Sequence, residues 1–211
     1  MNTIPDGLGR PFTTLAGLYA PFSHQTFDDL VLPRAQRCSA VALIFHVHQQ
    51  DHSLRLCFGR RAPYEGDPWS GDMAFPGGKA EREDHTFHDV AKREVYEETG
   101  LRLEDHHLLG SLKETRAFGS RRRPPLIVRP MVYAFREPPA AFNLGDELAA
   151  AYWIPVSHLW DAKNWTTLVY SANGQTYPGI RYGEEIIWGF TLRVLIAFSE
   201  FMAYPLTIPG F

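Results

Sequence analysis

Between Pro76-Gly77-Gly78 and Gly100 the hydrophobic pattern of this chain changes period, and that change restricts its fold more than any other feature of its 211 residues. Upstream of the break, residues 40–47 form a continuous apolar run with β-branched side chains, and Leu54, Leu56 and Phe58 alternate with Arg55 and Cys57. These patterns predict two strands joined by a polar turn. From Thr86 onward, Phe87, Val90, Ala91 and Val95 recur at helical spacing, which predicts an amphipathic helix closed by Gly100 in a left-handed conformation. Strand-like runs return over residues 108–115, 126–135 and 148–154, and a last long helix is expected over 185–202, where Ile187, Thr191, Val194, Leu195, Phe198, Phe201 and Met202 share one stripe. Strands on both sides of a helix place the chain in the α/β class.

The polar side of the first long helix carries Glu94, Glu97 and Glu98. At i, i+3 and i+4 they crowd one helical turn, and each like-charged pair costs roughly 0.2–0.5 kcal/mol. A divalent cation reverses that sign, and Mg²⁺ takes carboxylate, phosphate and water oxygens together. The preceding Gly77-Gly78 lets main-chain groups approach an ion or phosphate without side-chain obstruction. Loop and helix together predict a metal-assisted diphosphate site.

These residues resemble the signature of the Nudix hydrolases, Gly-x5-Glu-x7-Arg-Glu-U-x-Glu-Glu-x-Gly-U with U aliphatic. Arg93 to Leu101 match every specified position of its second half. In the first half, five residues separate Gly78 from Asp84, which stands in place of Glu, and eight rather than seven separate Asp84 from Arg93. The longer box and the entry Phe75-Pro76-Gly77-Gly78 are similar to the coenzyme A pyrophosphatase branch, as is Ile187-Trp188-Gly189 with Thr191 and Arg193. Upstream the chain departs from that branch: Gly71 is in register, Asp67 stands at an arginine position, and Arg61-Ala62 lies one residue too far upstream.

The resemblance, over residues 40 to 200 in round numbers, implies a Nudix-type α/β/α sandwich with a mixed central sheet, in a domain over 38–204 followed by a tail over 205–211. Pro5, Pro11, Pro21 and Pro33 predict an irregular lead-in over 1–37, with a short helix over 26–32. It implies a divalent-metal-dependent pyrophosphohydrolase acting on a small-molecule nucleoside diphosphate derivative. Coenzyme A or acyl-coenzyme A, giving 3′,5′-ADP and (acyl-)4′-phosphopantetheine, is the first substrate expected. ADP-ribose or a dinucleotide is the alternative, and a non-catalytic nucleotide-sensing module is a third reading. Glu94, Glu97, Glu98 and a main-chain carbonyl at Gly78 are the expected ligands of Mg²⁺ or Mn²⁺. Arg93 is expected to orient the cluster, because a guanidinium does not give up its proton, and Glu97 or Glu147 is expected to act as general base. Gly77, Gly78, Arg61 and the run Arg121-Arg122-Arg123 are the expected substrate contacts.

A formal net charge of −3 gives no basic field for nucleic-acid binding. Residues 1–37 lack the pattern of a secretory leader, and no charge-free apolar run approaches membrane-spanning length. Cys38 and Cys57 stand in no Cys-x-x-Cys pattern, which fits a reducing cytoplasm. A homodimer stays open. His46 and His48 read as packing or hydrogen-bonding residues, Tyr64 and Trp69 as either loop anchors or stacking surfaces, and Trp188 as helix packing.

Overall fold

A computed structural model describes residues 12–26, 30–33, 36–65, 69–117, 125–137, 139–170 and 173–209. Its centre is a parallel pair, β1 (Cys38–Val47) and β7 (Leu126–Phe135), in continuous register from Cys38 with Ile127 to His46 with Phe135. Both strands are largely apolar because both faces are covered, with Ser39, His46 and Arg129 the buried polar exceptions. The side chains of Ala40, Ala42 and Ile44 join one hydrophobic cluster and those of Leu43 and Phe45 another, as the two-residue period of a strand requires. Helix α2 (Phe87–Thr99) packs on the first face through Phe87, Val90, Ala91 and Val95. The one-turn α3 (Val156–Leu159) and helix α4 (Gly189–Phe201) contribute to the second cluster, α4 through Leu192, Val194, Leu195 and Phe198. The result is an α/β/α arrangement around a mixed sheet.

The sheet splits around β1. Its first residues pair with the short β4 (Gly77–Lys79), and its last pair with β2 (Leu54–Arg61). Strand β2 also pairs with β3 (Met73–Ala74) and β8 (Leu148–Pro155), while β5 (Leu108–Ser111) and β6 (Thr115–Ala117) extend the sheet beyond β7. The single strand expected over 108–115 is thus two short ones, interrupted where the Leu112 N–H donates to the Pro130 carbonyl.

Two further differences concern the C-terminal third. A separate antiparallel sheet, β9 (Trp165–Val169), β10 (Thr176–Tyr182) and β11 (Glu185–Trp188), occupies a stretch whose strands the hydrophobic pattern did not announce. Residues 185–188, expected to open the last helix, are instead strand: Ile186 and Ile187 pair with Arg181 and Ile180, a setting that suits β-branched side chains. Gly189, at φ +59°, then turns the chain into α4. The helix expected over 26–32 overlaps 27–29, which lie outside the described residues. A short helix is found at α1 (Leu15–Tyr19), whose Leu18 is buried with Phe12, Phe22 and Phe45. Leu206 and Ile208 join the same cluster from the C-terminal side. Among the described residues no helix is long and apolar enough to cross a membrane.

Candidate active site

The end of α2 that bears the carboxylates is fixed from three directions. At the start of the helix, Thr86 accepts the Asp89 N–H while Asp89 accepts the Thr86 N–H, a reciprocal capping box. Gly100, at φ 72°, closes the other end. The last helical carbonyls are taken up by a distant loop: the Asn143 N–H donates to the Thr99 carbonyl (2.9 Å) and the Gly145 N–H to the Glu98 carbonyl (3.0 Å). These bonds satisfy acceptors that a helix end otherwise leaves to water. A Cβ at residue 145 would strike the Glu97 carbonyl, so only glycine permits this approach.

Strand β4 lies against the carboxylates. The Gly77 N–H donates to Glu98 Oε2 at 2.9 Å, and a Cβ on Gly78 would collide with the Glu94 carboxylate. Gly77 itself has φ +147° and sits where a side chain would strike the Ala40 carbonyl. The Gly78 carbonyl accepts the Ser39 hydroxyl, a contact that no local pattern in the sequence announces.

Glu98 is only 5% exposed. Burial pushes its carboxyl up to about 8, with the charges of Glu94 and Glu147 adding to the effect, while the Gly77 N–H and the charge of Arg61 oppose it. Glu94 is raised as well, chiefly by burial and further by Glu97 and Glu147, against the pull of Arg93. Beneath them the fully buried Cys57 thiol is raised by burial and by the charge of Glu98. The electrostatics therefore gather Glu94, Glu97, Glu98, Glu147, Arg61 and Arg93 at one place, although Arg61 and Glu147 are far from the helix in sequence. Glu147 is exposed, just before β8, and its carbonyl accepts the Ala62 N–H at 2.8 Å.

Arg93 ties the cluster together. Its Nη2 donates to Asp84 Oδ2 (3.0 Å) and to the Lys79 carbonyl (2.8 Å), and its Nη1 donates to Glu97 Oε2 (3.0 Å) and lies 3.1 Å from Glu94 Oε1. Burial works against its charge, but these carboxylates outweigh burial and hold its pKa above the ordinary value. Asp84 also accepts the Glu81 N–H at 2.8 Å, so one aspartate braces both the loop and the arginine.

Among the described residues, no three carboxylate, imidazole or thiol side chains already converge on one point at coordinating distance. Glu94 and Glu97 are turned to Arg93 and Glu98 to Gly77. The donor set nevertheless fits a hard divalent cation: clustered carboxylates, one of them buried with a raised pKa, are what such an ion stabilises. Glu94, Glu97 and Glu98 would hold it.

A cavity of about 490 Å³ opens beside this cluster, with Ser39, Arg61, Lys79, Trp69, Trp188 and Arg193 among its walls. Trp188 donates from Nε1 to Asp72 Oδ1 at 3.0 Å, so it pins the segment before the glycine loop as well as packing. Trp69 is more than half exposed on the cavity wall, whereas Tyr64 is exposed outside it, with both its main-chain N–H and carbonyl bonded to Ser70. Arg121, Arg122, Arg123 and Asp67 lie outside the described residues. His46 is buried edge-on against Trp153 with neither ring nitrogen bonded among the described residues, and burial pushes it down to about 4. His48 pairs with Asp51 at 3.0 Å. Both cysteines are free and buried.

Comparison with known proteins matches residues 37–171 to the NUDIX domain. The mitochondrial coenzyme A diphosphatase NUDT8 of Homo sapiens is 28% identical over 145 residues, covering 66% of this chain and 57% of that protein. The uncharacterized Nudix hydrolase NudL of Photorhabdus laumondii is 26% identical over 129 residues, covering 60% and 66%. The chain thus spans less than two thirds of the length of either relative. A MutT/nudix family protein from Enterococcus faecalis has a similar fold, with a TM-score of 0.56 at 16% identity over 87% of this chain and 67% of that one.

Proposed function

The chain belongs to the Nudix family, and from that premise we propose that it is a divalent-metal-dependent pyrophosphohydrolase that cleaves the diphosphate linkage of a nucleoside diphosphate derivative. The observation that carries this reading is the buried, proton-retaining Glu98 set beside Glu94 and Glu97 against a glycine strand. A lone surface cluster of glutamates would have no reason to be buried, since burial disfavours the charged form. When bound, a divalent cation supplies charge neutralisation at the phosphates and acidifies a water. The chain's own residues do the remaining work: Arg93 and Asp84 keep the carboxylates in register, Arg61 and Lys79 place positive charge on the cavity wall, and β4 brings main-chain groups to the diphosphate.

Coenzyme A or its acyl thioesters is the first-choice substrate. The human relative's description as a coenzyme A diphosphatase supports it, as do the longer signature box and the aromatic cavity wall of Trp69 and Trp188. The displaced Arg61-Ala62 pair and Asp67 favour ADP-ribose or a dinucleotide as the second reading. Purified protein with Mg²⁺ or Mn²⁺ should release 3′,5′-ADP and 4′-phosphopantetheine from coenzyme A. Turnover of ADP-ribose or dinucleotides alone would select the second reading, and turnover of no diphosphate would overturn both.

Glu147 is the general base of this proposal. Its charge reaches Glu94 and Glu98, yet its side chain is exposed to an incoming water. Positioned proton transfer contributes about 10²–10⁴ in rate, so Glu147→Gln should lower kcat by that order with little change in KM. Full kcat in Glu147→Gln with loss in Glu97→Gln would move the role to Glu97.

A further inference from the structure

Lys79 lines two cavities. One also holds Arg61 and Trp188; the other, of about 730 Å³, is enclosed by the segment 31–38, the signature loop 79–85 and the start of β7 at Leu126. Main-chain bonds fix these three walls to one another. Val31 forms a β-bridge with Thr86, and the Leu32 N–H donates to the His85 carbonyl (3.0 Å). The Ala80 N–H donates to the Cys38 carbonyl (2.9 Å), and the Ile127 N–H to the Arg37 carbonyl (2.9 Å). The larger cavity is therefore framed by the backbone, and its volume lies within the range of about 300–1,000 Å³ usual for small-molecule sites.

The chemistry of the walls selects the occupant. Leu32, Pro33, Ala80 and Leu126 present apolar surface. Arg37, Lys79 and Arg82 bring positive charge, and Glu81 and Asp84 bring negative charge. Both acids are answered by Arg93, which stands 4.0 Å from Glu81 and 3.0 Å from Asp84. Lys79 and Arg82 are exposed, and among the described residues neither side chain has an ion-pair partner. The uncompensated charge on the walls is thus positive. An inorganic ion would leave the apolar surface in water, a neutral apolar molecule would leave both cations unanswered, and a cation would be repelled.

We infer that this cavity binds a small organic anion with an apolar body, at a site distinct from the one beside the glutamates. Lys79 and Leu126 line both cavities and stand at their boundary; Arg82 and Gln36 line the larger one, while Arg61 and Arg193 line the other. A carboxylate and a phosphate monoester present the same acceptor oxygens to Lys79 and Arg82, so the anionic group can come from either source.

Two fluorescent dyes with the same rings test the site in metal-free protein: 8-anilinonaphthalene-1-sulfonate, and N-phenyl-1-naphthylamine, which lacks the sulfonate. The sulfonate dye should bind one per chain, raise the melting temperature as a native-state ligand does, and weaken as salt is added. Arg82→Glu should weaken it about 5-fold, the size of an exposed charge pair, and leave the neutral dye unchanged. Gln36→Trp, at an exposed position of the wall, should weaken both dyes by filling space, and Arg193→Glu should weaken neither. Decanoate and octyl phosphate should displace the sulfonate dye where decanol does not, and the better competitor identifies the anionic group. Sulfonate binding undiminished in Arg82→Glu, lost in Arg193→Glu, or displaced equally by decanol would overturn the site. None of these readouts depends on turnover, so failure of the site would leave the hydrolase reading standing, and absence of turnover would leave the site standing.

Discussion

Glu98→Gln is expected to lower kcat by at least about 10³ while raising the thermal stability of the metal-free protein above neutral pH. The catalytic loss follows because a bound cation stabilises transition-state charge by several kcal/mol and each 1.36 kcal/mol is tenfold in rate. The stability gain follows from the raised carboxyl. Glu98 titrates near 8 in the folded protein against an ordinary value of 4.5, because burial opposes its charge. A raised carboxylate pKa means that the native state binds more protons than the unfolded state between those values. Stability therefore falls as pH rises from about 4.5 to about 8, by at most about 1.4 kcal/mol per pH unit, and levels off above. Glutamine still accepts the Gly77 N–H through its amide oxygen and carries no charge to desolvate. Thermal melts of both proteins in chelator from pH 5 to 9 should converge at the acid end and diverge toward the alkaline end. A gap independent of pH, or undiminished turnover in the variant, would remove Glu98 from the cation site.

Arg93→Ala should unfold the site rather than merely slow it. The Asp84 side chain is 6% exposed and has Arg93 as its cationic partner at 3.0 Å, and breaking such a pair from one side costs about 3–5 kcal/mol. For a domain of this size that corresponds to a melting temperature lower by on the order of 10 °C. Arg93→Lys is the informative companion. A lysine preserves the charge but has no planar fork to hold Asp84, Glu94, Glu97 and the Lys79 carbonyl together. It should recover part of the stability and little of the turnover. Equal turnover in the lysine variant and the wild type would mean that charge alone, not the fork, positions the carboxylates.

How much of this was legible in the sequence depends on whether the governing contact is local. Helix α2 was legible because its capping residue, apolar stripe and closing glycine all lie within the helix or next to it. Strand β7 was legible because a strand buried on both faces reads as a nearly continuous apolar run, here with Arg129 as its one charged residue. The second sheet escaped notice because β9 to β11 are short, partly exposed and interrupted by Pro178 and Gly179, so neither a clean alternation nor a continuous apolar run survives. The turn residues that separate its strands, Gly174 and Gly183, both at positive φ, were the available signal. Within the site, the grouping of Glu94, Glu97 and Glu98 follows from helical geometry alone. The arrival of Glu147 and Arg61 does not. It depends on β2 pairing with β8, with Arg61 opposite Leu148, and on main-chain bonds between residues distant in the chain.

Those main-chain bonds have a consequence for how such a chain can change. Asn143 and Gly145 grip the end of α2 through backbone N–H groups alone, so the distance between the helix and Glu147 is set by a clasp and not by the length of chain between them. Residues 101–142, which include β5, β6 and β7, can change at the described turns between strands without altering the spacing of the acidic groups. The acidic cluster and the segment between helix and clasp can therefore drift independently, provided that position 145 remains glycine.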